Sequence, residues 1–305
     1  MKSRMILGAL ALLIQTAVAG SASAQHPVEV QRLAASGDYF VALTTFERMP
    51  KRVATTQSVM AAARSAWALG LSSRAIEEFD RALRDEKLAP EDQARIYLSK
   101  GIIEFQEGRY QVAALHSEKC VETLNAMEGA GPNPLRAKAY LLWGDSLSKL
   151  NSLGDAEQKY VQALDDAASD DQPQINFSLG KCRAQIGKYE QARENFELVP
   201  LNHELTADTI RNLASLALDT GKISSATFWL QRGRSEYPDS FLDSWVDYAL
   251  VKSAISENNL PVVREIRAGA AKKYPPSDQW LILLQAAAEE FEWSKRAAES
   301  KEGQP

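Results

Sequence analysis

Apolar residues recur along this chain at helical rather than strand spacing, and they do so in pairs of short segments. The clearest pair lies between Lys138 and Leu164. Tyr140, Trp143, Gly144 and Leu147 fall at i, i+3, i+4 and i+7, which places them on one face of a helix. A break follows at 151–154, and a second helix carries Ala156, Tyr160 and Ala163 on one stripe. Gly144 and Ala156 lack bulk where two helices must approach closely, and Tyr160 fills the space beside them. No stretch sustains period-two alternation, so no sheet is expected.

The same layout recurs up and down the chain. The position of Ala156 has counterparts at Ala42, Ala75, Ala113, Ala192 and Ala226, with Val263 last, at spacings of 33, 38, 43, 36, 34 and 37 residues. Four residues further on stand Phe46, Phe79, Ser117, Tyr160, Phe196 and Leu230. A drift around the mid-thirties, with extra residues absorbed in the links, is what stacked helical hairpins show. The units are expected near 28–49, 56–85, 94–126, 137–168, 173–201, 207–238 and 244–276. The seventh is degenerate, with Val263, Arg267 and Ala270 on its stripe. Residues 277–293, with Trp280, Leu283, Leu284, Ala287 and Phe291, read as a solvating cap, and 294–305 as a disordered tail. The stretch 127–134 reads as a flexible insertion. A stack of this kind forms one elongated body rather than two globular domains.

The pattern resembles the tetratricopeptide repeat family, whose units are near 34 residues, across about residues 28–276. Its strongest carriers are Tyr140, Gly144, Ala156, Tyr160 and Ala163; Tyr97, Gly101, Gly108 and Ala113; and Leu179, Gly180, Gly187, Tyr189, Ala192 and Phe196. The resemblance implies an all-α, right-handed α-solenoid of about seven hairpins plus a C-terminal capping helix. It also implies that the first helix of each hairpin lines a concave side that binds extended peptides or partner helices. Carried onto this chain, the binding positions are triplets offset from the packed face. They are Met60, Arg64 and Trp67; Leu98, Ile102 and Phe105; Leu141, Asp145 and Ser148; Phe177, Lys181 and Ala184; Arg211, Ser215 and Leu218; and Tyr248, Lys252 and Ile255, with Lys138 close by. An apolar floor with cations suits a partner bearing apolar anchors and acidic groups. The Lys/Asn/Arg clamp of members that bind chaperone tails is not matched in any adjacent pair of units.

The N-terminus suggests an address. Lys2 and Arg4 precede an apolar run over 6–20, and Ala22-Ser23-Ala24 supplies a small-x-small cleavage site, so residues 1–24 read as a signal peptide. Gln25 follows where a lipoprotein would need cysteine. The expectation is an exported, periplasmic protein of bacterial type. Removal of residues 1–24 takes away two cations and no acid, so the formal charge goes from −5 to −7. That mild acidity argues against a nucleic-acid or anionic-membrane partner, which would want a basic stripe. Cys120 and Cys182 both fall on packed faces with a whole hairpin between them, too far for a bridge. Two buried thiols are expected.

Catalytic constellations are not found. Ser146-x-x-Lys149 lacks the K-T-G and S-D-N partners of penicillin-binding enzymes. Gly221-Lys222 lacks a phosphate-cradling loop. His26, His116 and His203 stand apart with no metal-ligand spacing, and no cofactor is expected. The resemblance, taken with the export signal, implies a non-catalytic binding scaffold of the bacterial envelope. Such a scaffold would hold segments of one or more envelope proteins to assemble a secretion, pilus, polysaccharide-export or cell-wall and outer-membrane assembly machine. The alternative is a periplasmic holdase for unfolded exported proteins.

Overall fold

The computed structural model describes residues 26–127 and 131–302. The expected signal peptide at 1–24, the middle of the 127–134 insertion and the last three residues lie outside that range. The chain divides into two compact units, with the boundary between Ala167 and Ala168.

Among the described residues the first unit holds eight α-helices: α1 (26–35), α2 (Tyr39–Arg48), α3 (Thr56–Ala68), α4 (Ser72–Ala82), α5 (Pro90–Gln106), α6 (Tyr110–Asn125), α7 (Pro134–Lys149) and α8 (Leu153–Asp166). The second holds α9 (Gln172–Gln185), α10 (Tyr189–Glu197), α11 (Thr206–Asp219), α12 (Ile223–Glu236), α13 (Ser244–Ser256), α14 (Leu260–Lys273) and α15 (Gln279–Glu302). Each odd-numbered helix up to α13 pairs with the next as a hairpin, and α15 packs beside α13 and α14. Only helices and turns occur among the described residues. Each unit is thus a stack of helical hairpins.

One local device makes every hairpin. The amide of the residue after the turn reaches back five positions, as Lys188 N does to the Arg183 carbonyl (2.8 Å), while Gly187 N bonds the Ala184 carbonyl (3.1 Å). This is a Schellman closure, which needs one residue in the left-handed region. Glycine supplies it in five hairpins, with φ of +80° at Gly187. Asn151 (φ +62°) and Asn258 (φ +60°) supply it in the other two. Asparagine tolerates this conformation because its short polar side chain bonds locally. The seventh hairpin is therefore regular, although its stripe is not.

The crossing of the two helices depends on small residues. Ala42, Ala75, Ala113, Ala156, Ala192, Ala226 and Val263 are all fully buried. In the fourth and fifth hairpins the first helix contributes glycine opposite a ring. A Cβ at Gly144 would stand 2.7 Å from Tyr160 Cε1, and one at Gly180 would stand 2.8 Å from Phe196 Cε1. The rings occupy the space the missing side chains leave. Arg267 departs from the expected stripe: it is half-buried and ion-paired with Glu289 and Glu292, so it tethers α14 to α15 instead of filling the crossing.

Polar groups inside the first unit are mostly paired. Arg136 on α7 makes two hydrogen bonds to Asp166 at the end of α8 (2.6 and 2.5 Å), and Asp166 also accepts from the Asn133 amide. Lys100 is buried and paired with Asp80 (2.5 Å), and buried Glu104 is paired with Arg109. His116 on α6 is one exception. It is buried, stacks on Tyr97 and leaves Nδ1 without a partner. Burial, with Lys100 nearby, pushes its pKa down to about 4. Cys120 and Cys182 are both buried, and no disulfide joins them. Burial pushes the Cys120 thiol up to about 12, which keeps it unreactive.

Two expectations at the C-terminus are corrected. Helix continues from 294 to Glu302, because the stretch contains Ala297 and Ala298, several Glu and Lys, and no breaker before Gly303. The cap is also less solvating than expected: α15 buries Leu281, Leu284 and Ala288 but exposes Ile282, Leu283 and Trp293.

Two outcomes follow from this packing. Gly144→Ala places a methyl group against the Tyr160 ring and should cost about 1–3 kcal/mol in a denaturant melt. Adding Tyr160→Leu should cost less than the sum of the two single changes, since the ring is what the methyl group meets. His116 is neutral when folded below the pH at which an unfolded histidine protonates. Its contribution is therefore complete above about pH 6.5 and falls away as the pH drops toward 4, by up to about 3 kcal/mol. His116→Gln should flatten that part of the stability–pH curve relative to the wild-type chain.

Candidate partner-binding face

The first helices α3, α5, α7, α9, α11 and α13 carry the predicted triplets, and their three positions behave differently. The middle position faces outward. Arg64, Lys181 and Lys252 are exposed, while Ile102, Asp145 and Ser215 are half-buried. Lys138, beside them on α7, is exposed as well. The third position is a half-buried shelf that includes Trp67, Phe105, Leu218 and Ile255. Phe105 packs edge-on against Tyr110 (5.2 Å between centroids), and the Trp67 indole donates to Gln106 (3.1 Å).

The first position mostly fails as a binding position. Met60, Leu98 and Phe177 are buried. Within each unit adjacent hairpins stack side by side, so a residue one turn before the outward row enters the seam with the neighbouring hairpin. Met60 joins a core closed around the small side chains Ala61, Ala62, Ala63 and Ala66. Leu98 packs with Ala139 and Leu142 of α7, and Phe177 with Phe196 and Leu213. Leu141 is half-buried. Asp145 is not an open acid, since it accepts the Tyr160 hydroxyl at 2.8 Å.

Arg211 is likewise used internally. Its guanidinium donates to the Asp243 carboxylate (2.6 Å) and to the Ser240 carbonyl, and it lies over the rings of Phe241 and Trp245. Asp243 also caps α13 through the Val246 amide (3.3 Å). Burial raises the Asp243 pKa, but the Arg211 hydrogen bond and charge outweigh it and hold the carboxyl below its ordinary range. Arg211 is therefore a strut between α11 and the start of α13.

Inside the second unit, two of the predicted rows converge on one cavity of about 590 Å³. Ser215 and Leu218 come from α11, and Tyr248, Lys252 and Ile255 from α13. Residues the sequence reading had not assigned to binding complete it: Asp219 and Ser256 at helix ends, Ile223, Trp245 three residues before Tyr248, and Trp280 from α15. Tyr248 and Trp280 form one wall, with ring centroids 5.3 Å apart. The i−3 spacing of Trp245 from Tyr248 was available in the sequence. The approach of Trp280 from 32 residues away was not.

A smaller set of predicted residues meets in the first unit. Arg64 and Trp67 line a cavity of about 600 Å³ with Tyr39 and α1 residues such as Ala34 and Ala35. A cleft on the second-helix side was not foreseen. Tyr189 and Arg193 of α10 face Phe228 and Trp229 of α12 across a space of about 520 Å³. Among the described residues no group of three or more His, Cys, Asp or Glu could hold a metal ion, and no helix is long and apolar enough to cross a membrane.

Hairpins of this length, closed by one left-handed residue and crossed at a small side chain, define a helical-repeat scaffold with a first-helix face. The tetratricopeptide repeat profile matches residues 60–117 and 141–200, which take in parts of the second to fifth hairpins. Over those residues the chain carries tetratricopeptide repeats. Solved structures share the fold at low identity. PilW, a widely conserved type IV pilus biogenesis factor, is 15% identical with a TM-score of 0.59, over 75% of this chain and 98% of that one. Pseudomonas aeruginosa PilF is 14% identical with a TM-score of 0.57, over 72% and 96%. Apo RapI is 11% identical with a TM-score of 0.56, over 80% and 99%. No curated protein matches the sequence.

Removing the strut tests its assignment. Arg211→Gln should destabilise the chain by about 2 kcal/mol through the lost charged hydrogen bonds. It should also raise the Asp243 pKa, read by NMR titration of that carboxyl.

Proposed function

We propose that this chain is a non-catalytic, exported scaffold of the bacterial envelope that holds segments of partner proteins on its first-helix face and so helps assemble a multi-protein machine. The observation that carries the reading is the convergence of two predicted rows, from α11 and α13, on one aromatic-lined cavity. Pockets that bind ligands combine an apolar lining with a few placed polar groups, and this one has that make-up.

The envelope part rests on the N-terminal pattern of charge, apolar run and small-x-small site. The likeness in fold to PilW and PilF is compatible with it and makes pilus or secretion assembly the first machine to examine. A common fold does not transmit function, so the partner has to be found by experiment. The Ser146, Gly221 and histidine motifs that resemble catalytic signals stand in separate repeats without converging partners, which supports the absence of catalysis.

Photocrosslinking in living cells tests the reading. A photoreactive residue at Ile255, on the cavity wall, should capture one dominant envelope protein, and fractionation should place the adduct outside the cytoplasm. A smear of many exported proteins would favour the holdase, and no adduct from a folded chain would overturn both.

A further inference from the structure

The second unit has three cavities of similar size, and their charges separate them. In the cleft between α10 and α12, Glu190 bonds Lys222 (3.0 Å) and Arg193 (2.9 Å), and Arg193 bonds Glu197 (2.6 Å). In the cavity between α12 and α14, Asp247 is held by Arg234 and by the Tyr274 hydroxyl (2.6 Å). A ligand in either place must compete with pairs already made. The first-helix cavity differs. Asp219 and Lys252 both line it, both are exposed, and neither side chain has an ion-pair or hydrogen-bond partner among the described residues.

We propose that this cavity takes a short peptide segment in which one aromatic or aliphatic side chain lies between an acidic and a basic residue. The proposal rests on the scaffold reading above and specifies its partner. The apolar side chain would enter between Trp245, Tyr248 and Trp280. Those rings are held in place by other contacts: Trp245 lies under Arg211, and Tyr248 packs against Trp280. Rigid aromatic walls lose little freedom when a ligand arrives.

The two open charges select the flanks. The segment's carboxylate meets Lys252 and its ammonium or guanidinium meets Asp219. A purely acidic segment would place one carboxylate near Asp219, and a purely basic one would place a cation near Lys252. Like charges brought together across an interface discriminate against the wrong partner more than matched ones add affinity. Because both groups are exposed, the effect is expected in selectivity and salt dependence rather than in very tight binding.

The test uses the full mature chain and three acetylated, amidated pentapeptides, with serine at each end and a central glutamate–phenylalanine–lysine, glutamate–phenylalanine–glutamate or lysine–phenylalanine–lysine. Binding is read from the indole NMR signals of Trp245 and Trp280, assigned by single replacement with phenylalanine. The mixed peptide, in this or the reversed order, should shift both signals saturably and bind at least about fivefold more tightly than either like-charged peptide. Lys252→Glu should invert the preference toward the all-lysine peptide, and Asp219→Lys toward the all-glutamate one, with the thermal melt unchanged. Equal affinity for all three peptides, or a preference unmoved by either substitution, would overturn the proposal. Crosslinking from Ile255 separates this failure from that of the scaffold reading. A partner still captured by the Asp219→Lys chain as strongly as by wild type would refute the charge selection alone. Capture of nothing by either chain would refute the reading beneath it.

Discussion

Every hairpin but the seventh meets one steric condition: where the two helices cross, one side is nearly without a side chain. Ala156 and its counterparts are fully buried, and Tyr160 and Phe196 fill the hollows at Gly144 and Gly180. The helices need this contact. They run from nine residues in α10 to seventeen in α5, apart from α15, and helices of that length are marginal or worse in water on their own. The crossing sets the rotation of each helix about its axis. That rotation decides which side chains enter the seam and which face outward, so a requirement of packing places the residues available to a partner.

The repeat was legible in the sequence because its signals are local. A small residue at a fixed phase, a ring four positions on and a left-handed turn residue before them can be read without knowing the neighbours. Asn258 was harder to recognise than Gly187 because asparagine occupies many loop conformations, whereas glycine at that phase has a specific use. The seventh stripe was misread at Arg267 because its partners, Glu289 and Glu292, sit on a helix the repeat pattern does not include.

The binding face was only half legible, for a geometric reason. Helical periodicity separates the packed face from the rest of the circumference, but it does not distinguish the flank that meets the next hairpin from the flank that meets water. Met60, Leu98 and Phe177 share a register with the outward row and differ from it by one turn, yet they are buried. Arg211 shows the same gap in electrostatic terms. Its charge looks available in an acidic chain until Asp243, 32 residues away, is found bonded to it. Lys252 and Asp219 look no different in the sequence. What sets them apart is that the fold brings them to one cavity and leaves each without a partner among the described residues.

The central claim is that helix rotation, imposed by the crossing, sends the middle position of a triplet outward, as at Arg64 and Lys181, and the position one turn earlier into the seam, as at Met60 and Phe177. Thiol labelling of single-cysteine replacements tests it most directly, because the native Cys120 and Cys182 are buried and contribute little background. Arg64→Cys, Lys181→Cys and Lys252→Cys should react with a maleimide at the rate of an open thiol. Met60→Cys and Leu98→Cys should react on the order of a hundredfold more slowly, limited by local opening. Equal rates at Met60→Cys and Arg64→Cys, one turn apart on the same helix, would contradict the account.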